Sequence, residues 1–125
     1  QSGSPDNLVF EATNLKVLMN YTGTMSKPVE NQEIRGMTFM DTQYTYLDPH
    51  GMPSGGDWGL QRTGAVYLDG VKNITISTNV MTRFDGNAIS INRYARDVMV
   101  YRNEIVLNGD NAVSQWGDAE NITFS

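Results

Sequence analysis

The chain has 125 residues, of which 39% are hydrophobic and 18% charged, with a formal net charge of −5 at pH 7. This size and composition predict one globular domain, 1–125. The negative charge disfavours nucleic acids and anionic membrane surfaces as partners, because both need a basic face. The absence of cysteine excludes disulfides and thiolate metal sites, and no apolar run approaches the roughly 18 residues of a membrane span.

The N-terminal third has weak strand signals. Leu8-Val-Phe and Leu15-Lys-Val-Leu-Met are short apolar runs that predict strands. The segment 33–42 has the pattern of a strand followed by a bend, with Ile34, Phe39 and Met37 as candidates for inward side chains.

Residues 43–63 lack periodicity and are rich in turn-forming residues, which predicts a loop inserted between strands. Loops of this length are usually functional or disordered. The side chains that mark it as a candidate functional segment are Tyr44, Tyr46, Asp48, His50, Asp57, Trp58, Gln61 and Arg62.

The C-terminal half contains a repeat, because residues 74–101 align with residues 98–125. Apolar and polar residues alternate within each copy, which predicts strands. A constant period predicts one supersecondary unit that stacks on itself. The identical pairs are Asn79/Asn103, Asn87/Asn111, Ala88/Ala112 and Ser90/Ser114.

The simplest fold for this repeat is an all-β, right-handed parallel β-helix solenoid. Each coil would use about 24 residues, the chain would form four to five coils without visible caps, and it would be a segment of a longer solenoid. Equivalent residues would lie about 4.8 Å apart, as neighbouring strands do. Ile74, Val98 and Ile122 would then form one interior column.

Asparagine at equivalent bends predicts a further interaction. Asn79 and Asn103 would stack so that the side-chain amide of one coil hydrogen-bonds to the next. The alternative is that asparagine only tolerates left-handed turn geometry.

Three N-glycosylation sequons begin at Asn20, Asn73 and Asn121. Asn73 and Asn121 occupy one repeat position, and Asp97 occupies it in the copy between them. We expect Asn73, Asp97 and Asn121 each to lie at the turn before a strand. Sequons favour a secretory route and an extracellular location, although about two are expected by chance in a chain of this composition.

Several segments resemble right-handed parallel β-helix proteins of the pectate-lyase-like superfamily. They are Lys27-Pro-Val-Glu-Asn-Gln-Glu-Ile-Arg-Gly-Met-Thr-Phe, Trp58-Gly-Leu-Gln, Gly70-Val-Lys-Asn-Ile-Thr-Ile and Asp85-Gly-Asn-Ala-Ile. The likeness covers residues 25–125 and is nearest to β-helix glycoside hydrolases of fucosidase or xylanase type and to uncharacterised extracellular relatives. It implies a glycan as the partner.

Glycoside hydrolysis needs two carboxyl groups, about 5 Å apart for retention or 6.5–9.5 Å for inversion. Asp85 and Asp110 are staggered by one residue in the repeat alignment, so they are the first candidate pair. Asp57 and Asp41 are further candidates. Asp85 and Asp110 also stand in turns, where aspartate is favoured for local hydrogen bonding.

A sugar ring stacks on an aromatic face and needs polar partners for its hydroxyls. The candidate substrate-binding residues are Tyr44, Tyr46, Trp58, Gln61, Arg62 and Trp116. The alternative is that Trp58 packs the loop onto the fold and the polar residues are solvated. His50 is the only histidine, which excludes a multi-histidine metal site, and its position between Pro49 and Gly51 favours a structural role.

Two alternatives remain at this level. A polysaccharide lyase would use calcium bound by Asp85, Asp110 and Asp118, with Arg62, Arg83 or Arg93 acting on a uronate; otherwise we expect no metal and no cofactor. A structural glycoprotein would stack end to end through open strand edges into a fibre or coat.

Overall fold

The computed structural model describes residues 9, 11–45, 48 and 61–125. Over these residues the fold is all-β, with eleven strands and no helix, as the alternating pattern predicted. The strands are β1 (Met19–Thr22), β2 (Val29–Arg35), β3 (Thr38–Met40), β4 (Gly64–Asp69), β5 (Val71–Ser77), β6 (Val80–Thr82), β7 (Asn87–Ile91), β8 (Ala95–Tyr101), β9 (Glu104–Val106), β10 (Val113–Gln115) and β11 (Ala119–Phe124).

The strands of the described ranges form three parallel sheets. Sheet A has the order β1-β4-β7-β10, sheet B the order β11-β8-β5-β2, and sheet C the order β3-β6-β9. The chain therefore visits sheets A, B and C in the same order each time. We call each such circuit a pass: β1–β3, β4–β6, β7–β9, and β10–β11. The same part of the chain contains no helix that is long and apolar enough to cross a membrane.

The register of the sheets follows the sequence repeat. Ile74 pairs with Val98, and Val98 pairs with Ile122. In sheets B and C the offset between the later passes is 24 residues, whereas in sheet A β4 and β7 are one residue closer, with Val66 paired to Ile89. The first two passes are offset by 42 in sheets B and C, because the segment 43–63 belongs to the connection from β3 to β4.

Sheet B supplies two apolar columns to the core. Ile74 and Val98 are fully buried, and Ile122 packs against the same core, so the predicted column is confirmed. Burial of this kind stabilises by about 1.5–3 kcal/mol for each large aliphatic side chain. The first-pass member of this column is not apolar: Gln32 pairs with Ile74 and is exposed.

The turn between sheets B and C contains the predicted asparagine ladder. Oδ1 of Asn103 accepts hydrogen bonds from Nδ2 of Asn79 at 2.9 Å and from its backbone N–H at 3.0 Å. Nδ2 of Asn79 also donates to the Ile34 carbonyl at 3.0 Å, and Oδ1 of Asn79 accepts from the Met37 N–H at 3.0 Å. The Asn79 amide is 1% exposed, so these bonds take the place of water.

Met37 was expected to point inward, and that expectation was wrong. Met37 is 45% exposed and stands in the first pass where Asn79 stands in the second. Gly36 precedes it with φ +66°, and this left-handed residue changes the alternation of inward and outward side chains. Phe39 and Ile34 are buried as expected.

The sequon asparagines also differ from expectation. Asn73 and Asn121 do not lie in turns before strands but within β5 and β11, with φ of 53° and 55°. Nδ2 of Asn73 donates to Oδ1 of Asn31 at 2.8 Å, and Nδ2 of Asn121 donates to Oδ1 of Asp97 at 2.6 Å. These left-handed residues form an outer ladder on sheet B that alternation alone did not reveal.

The strand predicted from Leu15 begins only at Met19. Before it, the Leu15 carbonyl accepts a hydrogen bond from the Gln43 N–H at 2.8 Å, and Lys16 Nζ donates to both carboxylate oxygens of Asp48 at 2.7 Å. Leu8 and Phe10, which were also expected in a strand, lie outside the described residues.

We predict that Asn79→Ala destabilises the protein by about 3 kcal/mol, because it leaves several buried backbone groups without partners. Urea unfolding measures the free energy. Asn20→Ala is the control, since Asn20 is exposed and its replacement should change the free energy by less than about 0.5 kcal/mol. Equal losses in the two variants would contradict a structural role for the ladder.

Candidate functional site

The connections from sheet C to sheet A lie side by side. The Gly109 N–H donates to the Phe84 carbonyl at 2.8 Å, which joins the second and third connections. Nδ2 of Asn87 donates to the carbonyls of Gln61 and Thr63 at 2.9 and 2.8 Å, and Nδ2 of Asn111 lies 3.2 Å from Oδ1 of Asn87. A second asparagine ladder therefore supports the region that carries most of the candidate residues.

An open depression of about 320 Å³ lies on these connections. The ring of Tyr44 is 56% exposed and stands at its edge. The lining residues are Thr42, Tyr44, Arg83, Phe84, Asp85 and Leu107. Four residues singled out by the sequence lie outside the described residues: Tyr46, His50, Asp57 and Trp58.

The Asp85 carboxylate is fixed by the preceding pass. Its Oδ2 accepts the Thr45 N–H at 2.6 Å and lies 3.0 Å from the Thr45 hydroxyl. Gln61 Nε2 donates to the Thr45 carbonyl at 3.3 Å. The fold thus brings together three residues that the sequence singled out separately: Tyr44, Gln61 and Asp85.

Arg83 is held in one orientation by Asp41. Nε and Nη2 of Arg83 donate to the two carboxylate oxygens of Asp41, each at 2.7 Å. These hydrogen bonds hold the pKa of the Asp41 carboxyl below its ordinary value. Because this bidentate pair occupies the carboxylate, Asp41 is the weaker of the catalytic candidates and serves to position Arg83 at the depression.

Asp110 lies on the connection next to that of Asp85, as the repeat alignment predicted. It is exposed, and its Oδ1 accepts a hydrogen bond from Nδ2 of Asn111 at 2.9 Å. Gly109, which precedes Asp110, has no space for a side chain, since an added Cβ would clash with the Asp85 carbonyl. This close approach keeps the two aspartate-bearing turns in contact.

Arg62 and Trp116, both predicted to bind substrate, meet at sheet A. The guanidinium Cζ of Arg62 lies 5.4 Å from the centroid of the Trp116 ring, within the range of a cation–π contact. Trp116 follows β10, and its backbone N–H donates to the Ile91 carbonyl at 2.8 Å. The fold therefore groups the candidate residues at two places, the depression and this pair.

Sequence reasoning missed a third group, made by Tyr67, Asp69 and Arg93. Asp69 is only 7% exposed, and its Oδ2 accepts from Arg93 Nη2 at 3.0 Å and from the Tyr67 hydroxyl at 3.3 Å. Burial, followed by the charge of Asp69, raises the pKa of the Tyr67 phenol above its ordinary 10.0. The signal was present, because Asp69 and Arg93 are 24 residues apart, which is one repeat.

The three aspartates proposed as calcium ligands each contact a different protein group. Asp118 binds Arg96, with Arg96 Nη2 3.0 Å from its Oδ1, while Asp85 contacts Thr45 and Asp110 contacts Asn111. Across the residues that the structure describes, no group of three or more acidic or histidine side chains is arranged to hold a metal ion.

Comparison with known proteins gave no match to a family model, a curated protein or a solved structure. The resemblance to pectate-lyase-like β-helix proteins therefore stays a prediction. The function has to be argued from the chemistry of the grouped side chains.

We predict that Asp69→Asn lowers the pKa of Tyr67, because it removes the negative charge that contributes to raising it. Alkaline absorbance titration measures it, and the difference from the Asp69→Asn/Tyr67→Phe double variant isolates this phenol among the six tyrosines. Asp97→Asn on sheet B is the control and should not move the curve. An unchanged Tyr67 titration in Asp69→Asn would contradict the contact.

Proposed function

We propose that the chain is an extracellular, carbohydrate-binding segment of a right-handed parallel β-helix that cleaves glycosidic bonds. The constant order of sheets A, B and C and the repeated 24-residue offset support the β-helix. The exposure of Asn20, Asn73 and Asn121 supports glycosylation and secretion, since an acceptor asparagine must be accessible.

One observation carries the carbohydrate proposal: the half-exposed ring of Tyr44 shares a depression with Asp85, Thr42 and Arg83. A pyranose presents an apolar ring face, which stacks on an aromatic side chain, and a rim of hydroxyls, which needs donors and acceptors. The depression supplies both at once. Leu107 and Phe84 add apolar surface to its lining.

Hydrolysis would use Asp85 and Asp110. Asp85, whose Oδ2 is oriented by Thr45, would serve as base or nucleophile. The exposed Asp110 would protonate the departing glycosidic oxygen. The sugar would lie across the two adjoining turns, and the separation of the carboxyl groups in the complex would decide between retention and inversion. Asp57 remains a candidate on the sequence alone.

A panel of neutral and acidic oligosaccharides tests this function by calorimetric binding and by product analysis. We expect Tyr44→Ala to weaken binding about ten-fold, the effect of losing one aromatic stacking contact. We expect Asp85→Asn and Asp110→Asn each to reduce hydrolysis by about 100-fold or more while binding persists.

The control is Asp97→Asn, which changes the same charge on sheet B and should leave both measurements unchanged. Thermal unfolding of each variant identifies losses due to instability, which matters for Asp85 because it also holds Thr45. Asp110 is exposed, so its variant should fold. Absence of binding across the panel would refute the proposal, and full hydrolysis by Asp110→Asn would refute its catalytic role.

A second function is favoured by the sheet edges. In the described part of the chain, β9, β10 and β11 each have a neighbour on one side only. The apolar side chains of these strands are incompletely covered. Ile105, Val113 and Ile122 are only partly buried, and Phe124 is 50% exposed. A further strand at each edge would bury them, as in a stacked fibre or coat.

Particle mass in solution separates the two functions. A monodisperse monomer that binds oligosaccharides supports the first. Filaments or concentration-dependent oligomers without glycan binding support the structural function. Light scattering coupled to size-exclusion chromatography makes this measurement.

A further inference from the structure

Among the residues that the structure describes, the indole N–H of Trp116 has no hydrogen-bond acceptor. Its Nε1 is buried, and within the described ranges it is one of few buried side-chain polar atoms without a hydrogen-bond partner. An indole N–H donates and does not accept. A buried donor without a partner is rare in native proteins, so this N–H is available to an acceptor atom of a ligand.

The side chain over this ring is positively charged and has no ion-pair partner among the described residues. Arg62 lies with Cζ 5.4 Å from the ring centroid, is exposed, and forms no ion pair in the part of the chain that the structure describes. Neighbouring carboxylates bind other arginines: Asp69 binds Arg93, while Asp118 and Glu120 both bind Arg96. Arg62 therefore places a cation beside Trp116 in a chain whose net charge is −5.

We propose that Arg62 and Trp116 form an oxyanion-binding site, separate from the depression at Tyr44, that takes a carboxylate or a sulfate ester. The indole supplies one directional N–H, and the guanidinium supplies charge and further donors. Both groups only donate, which excludes a cation. Because Arg62 is exposed, its side chain can turn from the ring, admit the anion beside Nε1 and close on it.

The two anions share oxygen acceptors and negative charge, and either would be carried by an acidic sugar. That source rests on the proposed carbohydrate function, whereas the ion site itself does not. The site would select a glycan that carries an acidic substituent in addition to the ring that stacks on Tyr44.

The test observes the indole directly. In the 15N-labelled protein, the indole resonance of Trp116 is assigned by its loss in Trp116→Phe, since the chain has two tryptophans. Sodium sulfate and sodium acetate are titrated against sodium chloride at equal ionic strength. We expect a saturable downfield shift of this resonance with sulfate or acetate and not with chloride.

Arg62→Gln should weaken the apparent affinity about ten-fold or more, as expected for loss of a charge-assisted hydrogen bond. Arg102→Gln is the matched control, because Arg102 is exposed and lies beside sheet B, and it should titrate like the wild type. An equal response to chloride or to neutral acetamide, or an unaltered titration in Arg62→Gln, would overturn the proposal.

Further titrations with oligosaccharides distinguish a failure of this inference from a failure of the proposed function. Sulfated and uronate-containing oligosaccharides are compared with neutral ones, and the class that shifts the indole resonance identifies the source of the anion. Binding of neutral glycans without any anion response refutes the oxyanion site and leaves the carbohydrate function intact. An anion response without glycan binding supports the site and refutes the function.

Discussion

The hydrogen bonds of the buried Asn79 amide are the interaction on which the rest of the structure depends. They lie in the turn where each pass leaves sheet B and enters sheet C, a place where backbone groups cannot be satisfied by strand pairing. By bonding to the passes on both sides, Asn79 fixes their separation and their register. A shift by one residue would move every side chain to the opposite face of its strand, so the core and the surface groups are set by the same contacts.

The candidate site depends on a second ladder of the same kind. Asn87 links the β3–β4 connection to the β6–β7 connection through Gln61 and Thr63, only two residues beyond Asp85. The aspartates, Tyr44 and Gln61 are thus carried by irregular connections whose spacing is nevertheless regular. This combination allows side chains far apart in sequence to meet at fixed distances, as Thr45 and Asp85 do, and it provides the rigidity that a binding site requires.

The strand pairing of the later passes in sheet B could be predicted because the repeat keeps the same length there. Ile74, Val98 and Ile122 share a column for the same reason that they share a repeat position. Alternation failed at Met37 and Asn73, where a left-handed residue changes which face a side chain occupies, and nothing in the polarity of the chain encodes that change. The Asp69–Arg93 pair was not predicted, because a charged residue leaves the apolar pattern unchanged and its partner lies a full repeat away in the chain. The segment 46–60 has no period, so the sequence offered only residue types there.

Gln32 makes the two outer edges of sheet B chemically different. It occupies a column position that Ile74, Val98 and Ile122 fill with aliphatic side chains, and its amide now bonds to the Glu30 carbonyl, 3.0 Å away, beside solvent. At the edge of β2 that has no neighbour among the described residues, an added strand would bury this amide among apolar side chains at a cost of about 1–3 kcal/mol. The edge of β11 has no such polar residue in its two columns. A single glutamine therefore makes the β2 edge a less favourable surface for a further apolar strand than the β11 edge.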